Sequence, residues 1–267
     1  MQDLILQVQE QLGTTPGLAI AYIIVGALIA VMAVVCIVLE LRVYLKYRKA
    51  NKMGISTQMT GIDAARYALD HYGLTNVKVR KSGFIREMFF GNYYNILTKT
   101  IYLRSVFGKI DNKTTVTSTA LGVQKAAVAR LCESGDKQAK VRNSLSLLGV
   151  FGPILFIPVV LIGVIIDVLV MKEVTMISYL SLGVGGALAI AGFIVTLLNI
   201  PVEKRANKLA LQMMEETGLA TGQELAVMKE VFDAYILSYI AQFILELLRV
   251  IQWILEIVIK VQADNSK

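Results

Sequence analysis

The sequence predicts a mainly α-helical integral membrane protein with about four transmembrane helices and a small α+β domain between the first and second. Three observations predict it. Four long apolar runs lie in a chain of 267 residues that is 55% hydrophobic, well above an ordinary soluble domain. The positive charge gathers between the first two runs. That same stretch changes hydrophobic period from helix-like to strand-like and back.

The first run, Leu18 to Leu39, has no charged residue and is long enough to cross a hydrocarbon core of about 30 Å. Arg42, Lys46, Arg48, Lys49 and Lys52 follow it, while only Asp3 and Glu10 precede it. The positive-inside rule therefore puts residues 1–17 outside and Tyr44 onward in the cytoplasm. The run is too long, and lacks the basic flank, for a cleaved signal peptide.

The second run, about Leu145 to Val170, holds Pro153 and Pro158, which kink a span without ending it. Asp167 near its far end is expected at the interface, because a carboxylate at mid-bilayer costs about 2.5–3.5 kcal/mol. Lys172 and Glu173 then form a short outside turn. The third run, about Val174 to Ile200, spaces Gly183, Ala187 and Ala191 four apart, a pattern that lets helices pack closely. It returns to Lys204, Arg205 and Lys208. The segments 18–43 and 144–200 thus hold three spans. Residues 201–230 form a cytoplasmic helical piece, and 231–267 a fourth membrane helix with a tail. Asp233, Glu246, Arg249, Glu256 and Lys260 interrupt this last run. It fits either a span over about Phe232 to Leu248 with an amphipathic tail, or one long tilted helix.

Between Tyr44 and Asn143 there are 18 Lys/Arg and 6 Asp/Glu, a difference of +12. Basic charge beside a membrane segment suits anionic lipid. A nucleic-acid site would need aromatics interleaved with it in a recognisable module, and none is present. Thr60 and Asp63 resemble a capping box opening a helix from Gly61 to His71, with Gly73 as its stop. Val77 to Val79 reads as a strand. Tyr93-Tyr94 and Ile101 to Leu103, joined by Asn95 to Lys99, read as a hairpin. Another helix is expected over Thr117 to Glu133.

Several strings resemble one family. They are Met59-Thr60-Gly61-Ile62-Asp63-Ala64-Ala65-Arg66 with Leu69-Asp70 and Gly73-Leu74, then Tyr94-Asn95 with Thr98-Lys99-Thr100-Ile101-Tyr102-Leu103. Ile200-Pro201-Val202-Glu203, Tyr239-Ile240-Ala241 and Leu247-Leu248-Arg249 follow in order. Together they resemble the bacterial membrane neutral zinc metallopeptidases of the YugP type, over nearly the whole chain. The resemblance implies a gluzincin-like domain over residues 44–143, in which a helical His-Glu-x-x-His motif holds zinc and activates its water. It also implies a third ligand at Glu203. Counting from the hairpin puts the motif on Leu121 to Lys125, where the chain reads Leu121-Gly122-Val123-Gln124-Lys125. Both histidines and the general base are missing there, and His71 is the single histidine of the chain. It is expected at a helix end on the surface.

No zinc and no other cofactor is therefore expected, and no catalytic residue is assigned. Lys125, a cation where an imidazole should stand, is expected to pair with the surviving Glu203. The expected role is a non-catalytic homologue acting as scaffold, adaptor or regulatory subunit in a bacterial plasma membrane. Its partners would be membrane lipid and other membrane proteins, an active metallopeptidase relative or a second copy, and no nucleic acid. The alternative is a membrane-bound peptidase that borrows ligands from a partner or works without metal. Ser105, Thr117, Ser118 and Thr119 lie near the stretch, and a Ser–Lys arrangement would use Lys125. Few charges lie within the spans, which argues against a transporter.

Overall fold

The structure, a computed structural model, describes residues 6–10, 14–171 and 176–265. It is mostly helical, and it forms two compact units, residues 1–44 with 237–267 and Leu45–Ile236.

Among the described residues, three helices are long and apolar enough to cross a membrane. The first, α1 (Pro16–Asn51), follows from the charge-free run. Helix α7 (Met176–Glu216) joins the third apolar run and the expected separate piece after Pro201 into one helix of 41 residues. Helix α8 (Gly222–Asn265) is continuous over 44 residues, and both expectations for the C-terminal run, a span with an amphipathic tail or one long tilted helix, are compatible with it. Helix α6 (Ser146–Ile166) bends by 50° between Gly152 and Ile154 and makes a fourth candidate if its halves form one span. Pro153, which has no N–H to donate, sits at that bend. A π-helical turn, Asp167–Met171, follows.

In the first unit, α1 and the part of α8 from Leu237 onward are tied by polar side chains. Ser238 and Gln242 donate to Glu40 at 2.5 and 2.7 Å, and Tyr22 donates to Glu256 at 3.1 Å. Such bonds satisfy carboxylates that would otherwise be costly among apolar helices.

In the second unit, α2 (Gly61–His71) starts at Thr60, whose Oγ1 accepts from the Asp63 N–H at 3.3 Å. It stops before Gly73, which adopts φ +70°. Strands β1 (Lys78–Lys81), β2 (Tyr93–Asn95) and β3 (Thr100–Leu103) form a sheet in the order β1-β3-β2. The hairpin β2–β3 is antiparallel, and β1 runs parallel to β3. Asn95 Oδ1 builds the hairpin turn by accepting from the N–H groups of Leu97 and Thr98. A short helix, α3 (Phe84–Phe90), lies in the crossover from β1. Helices α4 (Val116–Glu133) and α5 (Lys137–Ser144) follow. Neither α3 nor α5 was expected from the sequence.

The core of this unit joins the alanines of α2 and α4 to Val202, Ala206, Ala210, Met213 and Met214 of α7. The α2–α4 crossing is very close: a Cβ on Gly122 would lie 2.3 Å from Gly61 O. Small residues also let α6 approach α7. They are not the expected set, because Gly183 faces nothing within 4 Å and Ala187 is exposed. Gly152 packs on the Leu188 backbone, Gly149 on Val195 and Gly185 on Phe156. Asp167, expected at the interface, is fully buried within the chain. The Lys172–Glu173 turn lies outside the described residues.

Candidate functional site

Three helices of the second unit converge on Glu203. Helix α4 begins at Thr115, whose Oγ1 accepts from the Ser118 N–H at 3.3 Å. Its small, alanine-rich sequence lets it be buried on most sides, so Gln124 and Lys125 point into protein rather than water. Helix α7 presents Asn199 and Glu203 on one face, as a four-residue spacing requires. Helix α5 is capped by Asp136, which accepts from the Ala139 N–H at 2.8 Å and pairs with Arg205 of α7 at 3.1 Å. That clamp brings Arg142, on the last turn of α5, over α7.

Arg142 Nη2 lies 2.7 Å from Glu203 Oε1, and Lys125 Nζ lies 3.5 Å from the same oxygen. Gln124 Nε2 donates to the other oxygen, Oε2. Arg142 also donates from Nε to Asn199 Oδ1 at 2.6 Å and from Nη1 to Asn143 Oδ1 at 3.2 Å. Glu203 and Lys125 are buried, and only 16% of the Arg142 side chain is exposed. Burial is the main reason the Lys125 ammonium is held below the ordinary lysine range. The Glu203 carboxylate opposes that shift and the Arg142 guanidinium adds to it. A cavity of about 170 Å³ opens beside the cluster, between Arg142, Asn143, Asn199, Asn92 and Tyr93.

The remaining sequence candidates lie elsewhere. Leu121 is half-buried. Gly122, counted as the place of the general base, faces α2, and the Gly61 oxygen occupies the space of any side chain there. A glutamate at 122 does not fit this packing. The α4 side chains that reach Glu203 are instead Gln124 and Lys125. His71 is exposed at the end of α2, edge-on to Tyr72. Ser118 Oγ shares a hydrogen bond with Thr115 Oγ1 at 3.0 Å, and Ser105 Oγ donates to Ser82 O at 2.6 Å. Thr117 donates weakly to Tyr47 O at 3.5 Å, and Thr119 is buried. Lys125 is directed at Glu203 rather than at a hydroxyl.

The sequence does not single out Arg142, because its role depends on α5, a short polar helix without an apolar stripe. The one available signal was its position in a basic stretch immediately before an apolar run.

A family model described as "Putative neutral zinc metallopeptidase" matches residues 24–258. The chain belongs to that family. Comparison with curated proteins and with solved structures gives no match. Membership implies zinc, so the donor set can be tested against that ion. Zinc in an open catalytic site takes about three protein ligands of His, Cys, Asp or Glu type. Around Glu203 the neighbours are an amide N–H, an ammonium and a guanidinium. All three direct hydrogens at the carboxylate, and two carry positive charge. No group of three His, Cys, Asp or Glu side chains suited to a metal occurs among the described residues. The residues present at Glu203 do not fit a zinc ion. What they can do is hold a carboxylate ionised and immobile between three helices.

Proposed function

We propose that this chain is a non-catalytic member of the neutral zinc metallopeptidase family that acts by binding other membrane proteins as a scaffold, adaptor or regulatory subunit. One observation carries the reading. Both oxygens of Glu203, the acid that the family resemblance assigns to zinc, are occupied by Gln124, Lys125 and Arg142. An internal ion pair then replaces the metal as the link between α4, α5 and α7. A buried carboxylate with hydrogen bonds on both oxygens and a cation beside it is stable without a metal.

In this reading, residues 44–143 keep a gluzincin-like arrangement on the cytoplasmic side of a bacterial plasma membrane, with the N-terminus outside. The 18 Lys/Arg against 6 Asp/Glu over that stretch support the orientation. The partner is an active relative, another membrane protein or a second copy.

The experiment is to purify the full chain in mild detergent from zinc-supplemented cells. Zinc is measured by elemental mass spectrometry, and hydrolysis of a casein-derived peptide mixture is followed beside the E203Q variant. The expected result is no stoichiometric zinc and no hydrolysis that depends on Glu203. One zinc per chain, or proteolysis abolished by E203Q, overturns the reading.

A further inference from the structure

Helix α3 has its polarity reversed. Its carboxylate, Glu87, is 1% exposed, while Phe84, Ile85 and Met88 are 54%, 70% and 58% exposed. A short helix on a water-facing surface places these residues the other way round. The reversal is held in place. Glu87 accepts from the backbone N–H groups of Ser105 and Val106, each at 2.9 Å, and from that of Phe107 at 2.5 Å. The loop after β3 is thereby pinned so that Val106 and Phe107 also stand outward. Phe107 meets Phe84 with ring centroids 5.6 Å apart. The result is one rigid apolar patch made from a helix and a loop, organised around a buried acid.

Two further observations identify what covers it. The inner edge of the patch runs into α6: Phe89 and Phe90 pack on Phe151, with centroids 5.2 and 6.2 Å apart. Leu147, Ile154 and Leu155 of the same apolar helix are exposed, so the patch continues the surface of a membrane-span candidate. Exposed cations accompany the patch in the chain: Arg86 lies in α3 itself, Arg104 directly precedes the 105–107 loop, and Arg80, Lys81 and Lys109 flank the two segments, with Lys81 3.5 Å from Asp111. Exposed apolar residues with exposed cations in the same segments match the boundary between acyl chains and anionic headgroups.

We propose that α3 and the 105–107 loop form a wedge seated in the anionic lipid interface of the bilayer that α6 enters. The wedge binds lipid, not a protein, and fixes the height of the second unit against the membrane surface. It stands independently of whether the Glu203 site has lost its metal.

The test uses the full chain carrying W253F, so that a new tryptophan reports alone. I85W and F107W are made separately in this background, since both sites are exposed and one serves if the other misfolds. Each is reconstituted into vesicles of phosphatidylcholine and phosphatidylglycerol, with or without lipids brominated near the headgroup end of the chain. Expected are blue-shifted emission, loss of emission with brominated lipid, and protection from aqueous acrylamide. Emission quenched by acrylamide and untouched by bromine overturns the proposal. Protection from both quenchers also overturns it, because it means a protein or a second copy covers the patch.

Discussion

Arg142 grips Glu203 at 2.7 Å, closer than Lys125 at 3.5 Å, and it does so from a different helix. The carboxylate is therefore a three-helix junction and not merely the partner of one replaced ligand. Removing it leaves two buried cations without a counter-charge, whereas removing Lys125 leaves the Arg142 pair intact. E203Q should lower stability by about 3–5 kcal/mol, the usual cost of stranding a buried charge. K125M should cost much less. Thermal unfolding of each variant in the same detergent checks the order.

The geometry also says where a metal could be restored. Gln124 and Lys125 reach Glu203, and Val128 lies one turn beyond Gln124 on the same side of α4. Changing Q124H, K125E and V128H, with R142Q to free the carboxylate, should yield zinc-binding protein by elemental analysis. The set L121H, G122E and K125H with R142Q should not, because Gly61 O blocks position 122. Zinc bound by the second set alone would return the motif to the counted register.

Two glycines should behave in opposite ways. At Gly122 a Cβ would meet Gly61 O at 2.3 Å, and neither backbone can step aside. G122A should cost about 1–3 kcal/mol, as overpacked cores do. Gly183 meets nothing within 4 Å, so G183A should leave the melting temperature unchanged or raise it.

Cys132 offers a chemical readout. Burial pushes its thiol up to about 11. The thiolate is the reactive form, so alkylation by iodoacetamide at pH 8 should be far slower in the folded protein than after denaturation in detergent. The folded rate should climb as pH approaches 11.

Glu133 supplies an acid-side test. The Lys99 ammonium, 2.7 Å away, is the main reason its carboxyl sits below the usual range; burial opposes the shift and the Tyr94 hydroxyl assists it. A depressed folded value means the stabilisation is complete above the unfolded value of about 4.3. It is then lost as pH falls through the folded value. The pair is partly exposed, so E133Q should cost only about 0.2–1 kcal/mol at neutral pH. That gap to the parent, read from melting temperatures, should close on acidification.

Much of the second unit could be read from residues alone. Thr60, Asp63 and Gly73 bounded α2 because caps and glycine stops act locally. Asn95 marked the hairpin for the same reason. Helix α3 was missed because its pattern is inverted, and a reader looking for a buried apolar face finds Glu87 where a core residue should be. The joining of the third run to residues 201–216 is not legible from the residues, because the apolar pattern ends at Ile200 and basic residues follow, while the helix itself continues through Pro201. The Glu203 cluster was only partly legible. The surviving acid and Lys125 stood out against a family pattern, while Gln124 and Arg142 depend on helix rotation and on the α5 clamp, which spacing does not encode.

Helix α7 runs as one rod from its apolar half to Glu203 and on to Met213 and Met214 in the core. Raising, lowering or tilting the greasy end therefore drags the carboxylate past the cations of α4 and α5. A displacement applied at one end of a continuous helix is thus felt at a buried charge further along it.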